Sequence, residues 1–148
     1  MKKLFILLLF LSTSCGFQPI YLEKSDDNFF FKNIELIGNK RINRKILSSI
    51  NFKEDKSNQT LNDITLNTSK AIKETSKNSK GQITSYRMVI QSHLKIKNND
   101  EVVKEKIFIS DYSYSNMKNK FDLSKYQDDV EKNLTKRIIE EILIYLRL

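Results

Sequence analysis

The chain has 148 residues, with 26 Lys and Arg against 18 Asp and Glu, a formal net charge of +8, one Cys, one His, one Pro and no Trp. That length suits one compact domain and not two. A single cysteine and a single histidine exclude a disulfide framework and a nitrogen or sulfur metal site, so the apolar core must hold the fold by itself.

Residues 1–14 begin with Met1-Lys2-Lys3, continue as an apolar run from Leu4 to Leu11, and end in Ser12-Thr13-Ser14. A positive start, a short apolar stretch and small residues compose a secretory signal. Eight apolar residues reach about 12 Å as a helix, against roughly 30 Å of hydrocarbon, so this run is too short to span a bilayer. Cys15 follows directly and resembles the cysteine of a bacterial lipobox, where the signal is cut and the sulfur and new amino terminus are acylated. Ser12 stands where that motif carries Leu. Two or more acyl chains, at about 0.8 kcal/mol per buried methylene, would anchor the chain stably. The other reading is an ordinary secretory signal cut nearby, with Cys15 left as a free thiol. Gly16 and Phe17 follow the cysteine; the lack of Asp there points to the outer membrane under the enterobacterial sorting rule. The mature chain would run from Cys15 to Leu148, with a charge of +6 once Lys2 and Lys3 are gone.

Residues 15–28 read as a lipidated tether, and 29–148 as the domain. Phe29 to Ile37 is apolar and β-leaning, a first strand that Gly38-Asn39 breaks. Asn39 is a suitable N-cap, and Ile42, Ile46 and Ile50 recur at four-residue spacing, which predicts an amphipathic helix over 40–51. Lys53 to Gln59 is a polar loop. Ile64 and Leu66 alternate with polar residues in a second strand that runs into a hairpin around Ser76 to Gly81. In the third strand Tyr86, Met88, Ile90, Leu94 and Ile96 share one face. Arg87, Gln91, His93, Lys95 and Lys97 share the other, giving a period of two with one wet side. Asn98-Asn99-Asp100 turns the chain into a fourth strand from Val102 to Tyr114. Ser124 with Gln127 fits a capping box, and Leu123, Tyr126, Val130, Leu134, Ile138, Ile142 and Tyr145 form the apolar stripe of a long last helix. Asp128, Asp129 and Glu131 sit in its early turns, where the helix dipole favours anions.

The order β-α-β-β-β-α implies an α+β, two-layer sandwich: a mainly antiparallel four-stranded sheet with two helices on one face. No catalytic constellation accompanies it. His93 falls on the wet face with no nucleophile or positioned acid in view. Asp26-Asp27 belongs to the tether and Asp128-Asp129 to a helix start, and no phosphate loop or nucleophile elbow appears. An enzyme, a cofactor and a metal are therefore not expected. The export signal and the excess of Lys (21) over Arg (5) also argue against nucleic acid. The basic charge has two readings, drift in an AT-rich genome or selection for an anionic partner such as lipid phosphates.

The tract Cys15-Gly16-Phe17-Gln18-Pro19-Ile20-Tyr21 resembles the mature start of lipopolysaccharide-assembly lipoproteins of the LptE type, especially the alphaproteobacterial ones, with Ile20 in place of Leu. Tyr86-Arg87-Met88 and the tyrosines at 112 and 114 fit the same plan of elements. The resemblance implies a non-catalytic outer-membrane lipoprotein on the periplasmic side. Such a protein is a partner and plug of the β-barrel translocon LptD and contacts lipopolysaccharide (LPS). Charge and position alone then nominate LPS-phosphate ligands: Lys70, Lys73, Lys77 and Lys80 near the tip of the hairpin between the second and third strands, and Lys40, Arg41, Arg44 and Lys45 opening the first helix. The rivals are a small outer-membrane lipoprotein that assists barrel assembly or lipid transport without binding LPS, and a soluble periplasmic or cell-surface binding protein if Cys15 carries no lipid.

Overall fold

The computed structural model describes residues 28–148. The signal at 1–14, Cys15 and nearly all of the tether lie outside the described residues. Three long strands dominate: β4 (Asp63–Lys77), β5 (Ile83–Asn98) and β6 (Glu101–Ser115). Each reaches about 50 Å at 3.3 Å per residue. They pair antiparallel in the order β4-β5-β6, and the short β2 (Ile34–Gly38) adds parallel to β4, with Ile34 opposite Ile64 and Gly38 opposite Thr68. The parallel pair requires a crossover, supplied by the helix α1 (Lys40–Ile50). The long helix α2 (Lys120–Arg147) closes the chain. Both helices lie on one face, α1 over β2 and β4 and α2 over β5 and β6, which is the expected α+β arrangement.

Alternation decides which side chains enter the core. Even-numbered residues of the long strands point at the helices, so Ile64, Leu66, Met88, Ile90, Leu94, Ile96 and Phe108 are buried. They meet Ile42, Ile46 and Ile50 of α1 and Leu134, Ile138 and Ile142 of α2. Odd-numbered residues face away from the helices, on a side that no described element covers. Thr68 and Ser92, both fully buried, satisfy each other through their hydroxyls at 2.8 Å, so the polar row within the core carries no unmet hydrogen bond there.

The expected order of elements needs three corrections. The apolar run from Phe29 to Ile37 is two strands. β1 (Phe29–Phe31) leaves the main sheet at Lys32-Asn33 and pairs parallel with β3 (Phe52–Glu54), inside the stretch expected to be loop from Lys53. Aromatic packing explains this small second sheet: the Phe52 ring sits edge-on to Phe29 and Phe31 at 6.1 and 5.3 Å. The last helix also starts earlier than Ser124. Asn119 is the N-cap, its side chain accepting from the Phe121 N–H, with Asp122 in the first turn. The apolar stripe begins at buried Leu123 and so misses only Lys120 to Asp122, which lie out in solvent, with Phe121 75% exposed.

Candidate functional site

Of the eight basic residues nominated from the sequence, the structure brings together two from different clusters. Lys70 stands opposite Ile90, well back from the hairpin tip, on the helix side of β4. Its Nζ lies 2.6 Å from Oε2 of Glu131 on α2. Arg41, from the start of α1, reaches the other oxygen of the same carboxylate through Nε at 3.4 Å and Asp128 Oδ1 through Nη1 at 3.4 Å. Glu131 is only 7% exposed. A buried carboxylate is tolerated when its charge is matched and its oxygens are bonded, and here two cations from two elements do both. The sequence places Glu131 among the acids of the early helical turns, favoured there by the helix dipole. Its position on the buried stripe, one residue beyond Val130, was the available signal for a structural role.

The remaining hairpin lysines are more open. The β4–β5 tip is a closed turn in which Asn78 Oδ1 accepts from the backbone N–H groups of Lys80 and Gln82, and the Gly81 N–H donates to Asn78 O. Lys77 pairs with Glu74 at 3.1 Å, while both side chains stay about half exposed. Lys73 and Lys80 meet no carboxylate within ion-pair distance among the described residues, and neither do Lys40, Arg44 and Lys45. Among the nominated residues, the unpaired cations thus fall in two places, Lys73 and Lys80 at the hairpin and Lys40, Arg44 and Lys45 along the first turns of α1. Cys15, the nominated lipidation site, lies outside the described residues.

His93 falls on the uncovered sheet face, as its register predicts. Its Nε2 is 2.6 Å from Glu105 Oε1, and Lys95 Nζ reaches the same oxygen at 3.1 Å. The Lys95 and His93 hydrogen bonds hold the Glu105 carboxyl below the usual glutamate range. Arg87 and Asp111 make a further cross-strand pair at 2.7 Å. The same face also carries exposed apolar side chains, Val103, Ile107 and Ile109, between these ion pairs. Among the described residues no helix is long and apolar enough to cross a membrane.

Between the two helices runs a groove of about 750 Å³. Ile42, Ile139 and Leu143 line its floor, and Arg44, Lys45 and Lys136 stand among its walls.

No family model matches the chain, and no curated protein matches it. Solved structures do. Rare lipoprotein B from Shewanella oneidensis superposes with a TM-score of 0.59 at 13% identity, over 78% of this chain and 93% of that one. An uncharacterized lipoprotein B from Nitrosomonas europaea superposes with a TM-score of 0.53 at 10% identity, over 78% of this chain and 82% of that one. At such identities the likeness is one of fold, and it spans nearly the whole described domain.

Proposed function

We propose that the chain is a small bacterial lipoprotein, acylated at Cys15 and held on the periplasmic side of the outer membrane. There it serves as the non-catalytic partner and plug of an LptD-type β-barrel and assists LPS transport. The observation that carries this reading is a coincidence of two independent features. The lipobox-like cysteine with its Gly-Phe-Gln-Pro-Ile-Tyr sequel stands ahead of a domain whose fold is shared with two bacterial lipoproteins. Chance would not readily place both in one chain of 148 residues. The rigid hairpin, extending from the two-layer body, is the element suited to enter a lumen, and Lys73, Lys77 and Lys80 on it suit lipid A phosphates as point charges.

The test is recovery of the tagged full chain from solubilised outer membranes. A very large barrel protein in near-equimolar amount is the expected result. Recovery without any barrel overturns the partner reading, and an unmodified Cys15 in the mature protein overturns the anchor. A second reading, a partner that binds no LPS, is favoured by the pairing of Lys70 and Arg41 with Glu131, which removes two of the eight nominated cations. Serine at Lys73, Lys77 and Lys80 separates the readings: weakened LPS binding supports direct contact, and unchanged affinity leaves a purely structural partner.

A further inference from the structure

The groove between α1 and α2 combines an apolar floor with cationic lips. Narrow edges of Ile139 and Leu143 show at the floor, with Ile42 buried beneath, and the methylene stems of Lys45 and Lys136 among the lining residues add apolar surface that ends in charge. The acids that share the groove are already neutralised, Glu131 by Lys70 and Arg41 and Glu140 by Lys136 at 3.9 Å. Arg44 and Lys45 keep uncompensated positive charge at the rim. A half-open groove lined by apolar carbon and by free cations is complementary to one kind of molecule, an anionic amphiphile.

Charge and size select among amphiphiles. The groove's volume of about 750 Å³ lies within the range of pockets that hold drug-sized ligands. A glycolipid with several acyl chains is too large to seat its tails there. We infer that this groove binds a single-chain anionic phospholipid, with its acyl chain along the edges of Ile139 and Leu143 and the lysine stems and its phosphate between Arg44 and Lys45. The inference rests on the membrane address proposed above, because only that address supplies the ligand. It differs from LPS contact at the hairpin in both site and ligand.

The experiment uses the full chain and myristoyl-lysophosphatidylglycerol below its micellar concentration, followed by titration calorimetry and native mass spectrometry. The expected result is saturable binding of one lipid per chain, with the zwitterionic lysophosphatidylcholine weaker. Arg44→Glu with Lys45→Glu removes two surface attractions and is expected to weaken the anionic lipid by about tenfold or more. Ser49→Trp, at an exposed position lining the groove, fills it and is expected to abolish binding without lowering the thermal midpoint. Lys118→Glu with Lys120→Glu, at exposed positions away from the groove, is expected to leave lipid binding unchanged. Non-saturable uptake, equal affinity for the two lipids, or full binding by a folded Ser49→Trp chain overturns the inference. So does a polypeptide, rather than a lipid, captured by a photo-crosslinker at position 49. Barrel recovery by the Ser49→Trp chain separates the two proposals. A barrel without lipid binding sinks only the groove, and lipid binding without a barrel sinks only the partner.

Discussion

Gly38 and Glu131 are the residues on which most depends. At Gly38 φ is +81°, and a Cβ there would overlap the Thr68 carbonyl oxygen across the β2–β4 pair. The next residue uses the same oxygen, since the Asn39 N–H donates to it at 2.7 Å. The chain therefore leaves the sheet for α1 through a spot with no room for a side chain. Gly38→Ala is expected to cost about 3 kcal/mol, from left-handed strain together with the clash. Gly81→Ala, at φ +75° in the open hairpin tip, is expected to cost about 1 kcal/mol because nothing lies within 4 Å. Urea unfolding of the two variants side by side checks the difference. For Glu131, the Gln variant leaves Lys70, which is 30% exposed, without its counter-charge and is expected to lose about 2 kcal/mol. Lys70→Met with Glu131→Leu is expected to recover most of that loss, since a matched apolar pair removes both charges from the interface. A double variant as unstable as Glu131→Gln would mean that the carboxylate acts through Arg41 instead.

Among the elements, α2 shows where sequence patterns are legible and where they are not. The stripe Val130, Leu134, Ile138, Ile142 lies in the core as its spacing predicts, because helical period and burial are the same fact seen twice. The start of the helix was displaced by one turn because Ser124-Gln127 and Asn119-Asp122 are both acceptable caps, and only the solvent-exposed turn between them separates the two. Asn119→Ala is expected to destabilise by about 1 kcal/mol, while Ser124→Ala, inside the helix, is expected to be neutral or slightly stabilising. Thermal unfolding distinguishes the two caps directly. The alternation in β5 was equally plain, since sixteen residues in one strand repeat the pattern many times. The β1–β3 pair was not, because three-residue strands give no periodicity and their partners lie on opposite sides of α1 in sequence. The Lys70–Glu131–Arg41 cluster was hidden for a related reason: its members are separated by up to 90 residues, and charge alone does not say which lysine turns inward.

Across the described residues, one sheet face is buried under helices and the other combines cross-strand ion pairs with exposed Val103, Ile107 and Ile109. Glu105 has a lowered pKa through Lys95 and His93, so its contribution to stability is present above the ordinary glutamate range. That contribution is lost as pH falls through the depressed folded value. Stability followed by thermal midpoint from neutral pH downward is expected to fall in that acidic window, and Glu105→Gln is expected to flatten the fall. An unchanged pH profile in the variant would assign the acid sensitivity elsewhere.

The lengths of the strands have a last consequence. β2 covers β4 only from Ile64 to Thr68, so from Ser69 onward that strand has a bare outer rim, and β6 has one along its whole length among the described residues. Rims of this kind invite chains to stack on one another. Lys73, with Lys77 beside it in its pair with Glu74, studs one rim, and Lys104 and Lys106, held over the Tyr145 ring at 5.6 and 5.3 Å, stud the other. Whatever anion these lysines meet, their like charges also keep a concentrated protein from zipping itself into filaments. Serine replacements along the hairpin would strip that protection, so a drop in soluble yield can arrive before any change in binding is measured.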